Sequence, residues 1–260
     1  TTGAPVLYAG TSGTPQDSRL DVGGFVRRVL VFEDRIFVAA DRAGLVVFER
    51  QMDGTWNDPA PFTFRLPDDD PDDGKRAFTL AVWRNGGDLR VLLGTVDHLG
   101  NGGLYLLAPD EPNPQNVKLA ELTGLPEVWS LASYDEDHAQ GPRTVVLVGT
   151  ACGGLRRHHF PVDATSIPAA VATHALGGSK LVRDIAIHRV EGVETIAFVA
   201  IHKSAAGLGP GVLALNLAGN GLAPVASVVP ELTGTGGADT TYCLSLAVDS
   251  DAVAGGRRIG

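Results

Sequence analysis

The segment "VVLVGTACGGL", Val145 to Leu155, decides how this chain is read. A run of aliphatics ends in Gly-Thr, crosses Ala-Cys, and restarts at Gly-Gly-Leu. Two apolar runs flanking a short glycine-bearing turn form a hairpin signal. The same grammar returns as "RVLLGTVDHLGNGGLYLL" from Arg90, "RIFVAADRAGLVVF" from Arg35 and "VLYAGTSG" from Val6. A hairpin that recurs this way marks a repeat architecture.

A second element recurs ahead of each hairpin. It reads Arg28-Val29-Leu30-Val31, Thr79-Leu80-Ala81-Val82, Ser130-Leu131-Ala132-Ser133, Asp184-Ile185-Ala186-Ile187 and Ser245-Leu246-Ala247-Val248. Its second residues lie 51, 51, 54 and 61 apart. After the hairpin comes a looser fourth strand, such as "FTFRL" from Phe62, "VKLAEL" from Val117 and "VASVVPEL" from Val225. Four short strands in a unit of about 40 to 50 residues is the pattern of a β-propeller blade. The alanines are expected to be buried in first strands that converge on an axis, and the glycines to serve the turns and close approaches between blades.

The chain ends supply the missing pieces of one more unit. "CLSLAV" from Cys243 is a first strand with nothing after it, and "VLYAGT" is a second strand with nothing before it. Joined, they predict an all-β fold: a five-bladed β-propeller closed by pairing of the N- and C-terminal strands. The whole chain, 1–260, is then a single domain. Its blades begin near 26, 77, 128, 182 and 243, the last completed by residues 1–25. Closure removes exposed sheet edges.

"VLLGTVDHLGNGGLY" and "VLVGTACGGL" resemble the repeats of the two-component-regulator type of propeller. The usual Trp before Gly-Thr is replaced here by Ala9, Leu93 and Val148. The resemblance implies a sensor or assembly part of a larger bacterial system.

Composition bounds the partners. The 260 residues carry a net charge of −9, which disfavours a surface that tracks nucleic-acid phosphates. No apolar run reaches the roughly 20 residues of a membrane helix, and "TTGAPVLYAGTSG" has no secretory pattern. The expected location is the cytoplasm. Cys152 and Cys243 show no zinc spacing and are expected to be reduced, buried thiols. The acidic run "LPDDDPDDGK", Leu66 to Lys75, lacks the spacing of a calcium loop and is expected to be a solvated loop, with calcium the lesser alternative. No cofactor is expected.

The loops that lead into first strands share one propeller face with those joining second and third strands. Arg27, Arg28, Phe78, Thr79, Trp129, Ser130, Arg183 and Asp184 come from the first set. Asp41, Arg42, Asp97, His98, Cys152 and His202 come from the second. Arg28, Trp129, Arg183, Asp184, His98 and His202 are the expected ligand or partner contacts, offering cations, a stacking ring and a carboxylate. The bland alternative is that an arginine pairs with Asp184 and only satisfies the channel. A metal site would need His98 and His202 to converge, and none is expected, since His158-His159 point to opposite faces of one strand.

Two functions follow. The first is a non-enzymatic recognition or scaffold module that shows a loop-rich face to a protein partner or small ligand. The alternative is a carbohydrate-active hydrolase, which needs a pair of carboxylates at the channel mouth. Asp184 is the one carboxylate at a first-strand start, with Glu127 and Asp239 in loops.

Overall fold

The structure, a computed structural model, describes residues 6–9, 18–57, 60–67, 74–139, 141–176, 180–190, 194–203 and 211–225. At 6–9, 18–19, 85, 190, 194 and 203 it describes the backbone alone. The described residues are all-β. β1 (Val6–Ala9) pairs antiparallel with β2 (Ser18–Asp21). Four antiparallel four-stranded meanders follow. Sheet I is β3 (Arg28–Phe32), β4 (Arg35–Ala39), β5 (Leu45–Glu49) and β6 (Phe62–Phe64). Sheet II is β7 (Arg76–Asn85), β8 (Asp88–Val96), β9 (Asn101–Leu107) and β10 (Lys118–Pro126). Sheet III is β11 (Val128–Glu136), β12 (Arg143–Thr150), β13 (Gly154–Pro161) and β14 (Ala172–His174). Sheet IV is β15 (Lys180–Val190), β16 (Glu194–Lys203), β17 (Gly211–Asn216) and β18 (Ala223–Pro224).

The second strands are aliphatic without alternation because both their faces are covered. β8 is buried from Leu89 to Val96, and β12 from Thr144 to Thr150. The chain divides into two compact units, Thr1–Glu127 and Val128–Gly260. In the first unit, Phe37 and Val47 of sheet I share a core with Leu80, Leu93 and Tyr105 of sheet II. Leu20 and Val22 pack with Ile36, Val38 and Phe48. In the second, Leu147 and Leu155 of sheet III share a core with Val182, Ile185 and Val199 of sheet IV.

The glycines of the opening segment have two separate jobs. A Cβ on Gly149, in Gly-Thr, would stand 2.2 Å from Ser130 Oγ and 2.3 Å from Val182 Cγ1, so this glycine lets sheet IV lie against sheet III. Gly154, in Gly-Gly-Leu, has φ +76°, and its Cβ would strike the His174 carbonyl of its own sheet at 2.2 Å. Gly44 repeats this geometry against the Phe64 carbonyl. Close approach between sheets thus belongs to the first glycine and the turn to the second.

Two expectations are corrected. Cys152 is exposed, because it occupies a φ +59° corner of the β12–β13 turn. Ala81 is buried at 2% exposure, but Ala132 and Ala186 are half-buried. Four meanders are described, whereas the fifth blade and its closure depend on Cys243–Val248, which lie outside the described residues, as do Ala247, Asp239 and most of the Asp-rich loop. No helix among the described residues is long and apolar enough to cross a membrane.

Candidate functional site at the bulged edge

Sheets II, III and IV share one irregularity. The first strand slips by a residue against the second between Ala77 and Thr79, between Val128 and Ser130, and between Val182 and Asp184. The residues passed over are Phe78, Trp129 and Arg183. A β-bulge of this kind re-aims a side chain at the end of a strand. In sheet I the matching place is Arg27, just before β3, whose N–H donates to the Ala39 carbonyl at 2.9 Å. These residues pair across neighbouring sheets within each unit. The Arg27 guanidinium lies 5.3 Å from the centre of the Phe78 ring, and that of Arg183 lies 4.5 Å from the Trp129 ring.

The same edge carries backbone bridges. The Ala77 N–H donates to the Asp41 carbonyl at 2.9 Å in the first unit, and the Cys152 N–H donates to the Lys180 carbonyl at 2.8 Å in the second. The β4–β5 and β12–β13 turns are thereby tied to the first strand of the following sheet. Asp41, with φ +50°, is 5% exposed, and both Nε and Nη2 of Arg27 converge on its Oδ1 at 2.9 and 2.8 Å. It sits in the wall of a pocket of about 450 Å3 that Phe25, Arg27, Arg42 and Arg76 also line.

In the second unit Asp184 is 4% exposed and its Oδ1 accepts the Ile185 N–H at 3.0 Å. Ser130 Oγ donates to the Val182 carbonyl at 3.1 Å, joining the two bulges. His202 stands opposite Leu181 in the β15–β16 ladder. Burial, then the Arg183 cation, hold its imidazole below the ordinary histidine range. Trp129, Arg183 and His202 thus form one neighbourhood. Arg28, at the start of β3, and exposed His98, in the turn where Asp97 Oδ1 accepts the Leu99 and Asn101 N–H groups, belong to the first unit. No group of three or more His, Cys, Asp or Glu suited to a metal occurs among the described residues.

A polar cluster that the sequence reading missed lies at the opposite end of sheet III, where Glu136 pairs with Arg143 in the ladder. Arg157, fully buried, donates to Tyr134 Oη at 2.9 Å and to Glu136 Oε1 at 3.2 Å. Arg143 Nε donates to Glu136 Oε2 at 2.7 Å. His138, Arg143, His159 and Asn220 line a cavity of about 420 Å3 beside it. His158, on the other strand face, is 1% exposed with Nδ1 2.8 Å from the Pro168 carbonyl. The polar run "RRHH" inside a buried strand was the available signal.

No family model matches the chain, and no curated protein matches it. The two-component-regulator resemblance therefore stays with its short motifs. Among solved structures, an endo-arabinase from Bacteroides thetaiotaomicron VPI-5482 is similar at 12% identity and a TM-score of 0.45, over 83% of this chain and 84% of that one. An exo-beta-1,3-galactanase candidate from Bifidobacterium bifidum s17 is similar at 11% identity and a TM-score of 0.41, over 72% of this chain and 65% of that one. Both names are those of carbohydrate-acting enzymes, not of sensors or interaction modules. The expectation of a non-enzymatic recognition or scaffold module, with its sensor role, is corrected on that finding, and the hydrolase alternative remains. At these scores neither likeness assigns a substrate or a residue role to this chain.

Proposed function

We propose that the chain is a carbohydrate-active hydrolase whose site lies at the bulged edge, with Asp41 as one of its carboxylates. The observation that carries this reading is the placement of Asp41. It is a carboxylate almost wholly withdrawn from water, set in the wall of an open pocket, with Arg27 engaging Oδ1 alone. Glycoside hydrolysis needs a fixed carboxylate to act as base or nucleophile, and a second carboxyl to protonate the leaving oxygen. On this reading the second comes from another loop of the same edge, and water and carboxylates suffice without a cofactor. Arg28 and His98 serve as further contacts in the same unit, and Trp129, Arg183, Asp184 and His202 form a contact surface of their own in the second unit for a small ligand or glycan, with aromatic faces supplying apolar area.

The four meanders are, in the same proposal, blades of a five-bladed propeller closed by Cys243–Val248 beside Val6–Ala9. The first-strand spacings of 51, 51 and 54 residues support it. The test of function is hydrolysis of a panel of arabinose-, galactose- and uronate-containing polysaccharides, read as new reducing ends. Asp41→Asn keeps the backbone bridge to Ala77 and is expected to lower the rate by two orders of magnitude or more while the protein stays folded, its loss of the Arg27 ion pair being read separately as a fall in melting temperature. A panel without any cleavage, or an Asp41→Asn protein as active as the parent, overturns the reading.

A further inference from the structure

We infer that the pocket beside Asp41 accepts a negatively charged sugar unit, so that the substrate is an acidic glycan bearing carboxylate or sulfate groups. That the ligand is a glycan rests on the hydrolase reading, whereas the preference for negative charge rests on the pocket itself. In a chain with 30 acidic and 21 basic residues, this wall gathers Arg27, Arg42 and Arg76 around a single acid. That acid, Asp41, already takes two contacts from Arg27 on one oxygen. An adjoining cavity of about 510 Å3 shares Gly23 and Arg42 with it and adds Arg65 and Asp21. Oδ1 of Asp21 is likewise engaged, by the Gly23 N–H at 2.9 Å.

Guanidinium groups are planar forks suited to carboxylate and sulfate oxygens, and they bind such anions in two-point contacts that a neutral hydroxyl cannot return. A cationic pocket on a protein of net charge −9 also concentrates the anionic unit locally against the repulsion of the remaining surface. Phe25, 66% exposed on the same wall, offers a flat apolar face to the ring that carries the charge. Each cavity falls within the usual size range of small-ligand sites, roughly 300 to 1,000 Å3.

The experiment titrates the intact chain with three probes: a galacturonate tetrasaccharide, a sulfated chondroitin tetrasaccharide and a neutral galactose tetrasaccharide. At least one acidic probe is expected to bind about tenfold or more tighter than the neutral one, and to weaken as salt is raised. The two acidic probes separate carboxylate from sulfate as the recognised group. Arg76→Gln is expected to weaken the acidic probe by about tenfold or more, the scale of one charged hydrogen bond, and to leave the neutral probe unchanged. Should that variant melt early, Arg42→Gln repeats the measurement. Equal binding of all three probes, or acidic binding untouched by both variants, overturns the inference. Cleavage is scored separately. Acidic binding with no hydrolysis of any glycan would remove the hydrolase and keep the charge preference, while hydrolysis of neutral glycans alone would do the reverse.

Discussion

Arg183 lies over the face of Trp129, with 4.5 Å from its guanidinium carbon to the ring centre, and both are bulge residues of neighbouring sheets. The contact therefore joins the two residues that the ladder registers of sheets III and IV pass over. A cation over an indole contributes about 0.5 to 2 kcal/mol depending on how dry the site is. In a double-mutant cycle of Trp129→Ala and Arg183→Ala, the coupling in urea unfolding is expected within that range. A coupling of zero would mean that the two side chains are neighbours without mutual attraction.

Gly149 lies where Val182 of sheet IV packs against sheet III. A methyl group there would meet Ser130 Oγ at 2.2 Å and Val182 at 2.3 Å and 2.8 Å, contacts that require the backbone to move. Gly149→Ala is expected to destabilise by about 1 to 3 kcal/mol. Gly100→Ala meets nothing within 4 Å, so any cost there comes from its φ of +83° alone. Comparing the unfolding midpoints separates crowding from backbone strain, and equal losses would count against the crowding account.

The repeat was legible because its strands are short and its punctuation is glycine. Unalternating aliphatics in β8 and β12 announced central strands, and Gly149 and Gly154 of "GTACGGL" hold the places that its turn grammar implies. The bulges were not legible, since nothing in "VWSL" or "VRDI" says that Trp129 or Arg183 will be the residue without a ladder partner; register emerges from pairing. The pocket around Asp41 was half visible. Asp41 and Arg42 belonged to an expected loop, but Phe25 and Arg76 reach the same wall from chain positions 51 residues apart. Burial of Cys152 and of Ala132 and Ala186 was misjudged from residue size, which says what fits a tight place but not where tight places are.

Stability should fall with acid because of the histidines on β13. Burial, with the Arg143 and Arg157 cations added, pushes His159 down to about 4, and burial also lowers His158 against the opposing Pro168 carbonyl. Native imidazoles that refuse a proton make the unfolded chain the better proton binder between about pH 6.5 and about pH 4. The contribution is therefore complete above that window and is lost as pH falls through it. The melting temperature is expected to drop across the window, and His159→Gln to flatten the drop. A variant with the parent's full slope would move the effect to other groups.

Arg157 is the most demanding buried group described. Nη1 donates to the Leu217 carbonyl at 2.9 Å and the Gly221 carbonyl at 3.0 Å, which fastens the loop after β17 onto sheet III. Nη2 meets Tyr134 Oη and Glu136, while burial raises the Tyr134 hydroxyl to about 12 and keeps it a neutral acceptor. Arg157→Met would leave two carbonyls and a phenol without their donor, at about 1 to 3 kcal/mol for each group that water cannot reach. The expected loss is about 3 kcal/mol or more in urea unfolding. Tyr134→Phe removes one hydrogen bond from the guanidinium cation and should cost about 1.5 to 3 kcal/mol. Arg157→Lys keeps the charge but not the fork, so it should fall between the two. A methionine variant that unfolds at the parent's midpoint would show that the loop carbonyls find water when the guanidinium is gone, and that packing alone holds the loop to sheet III.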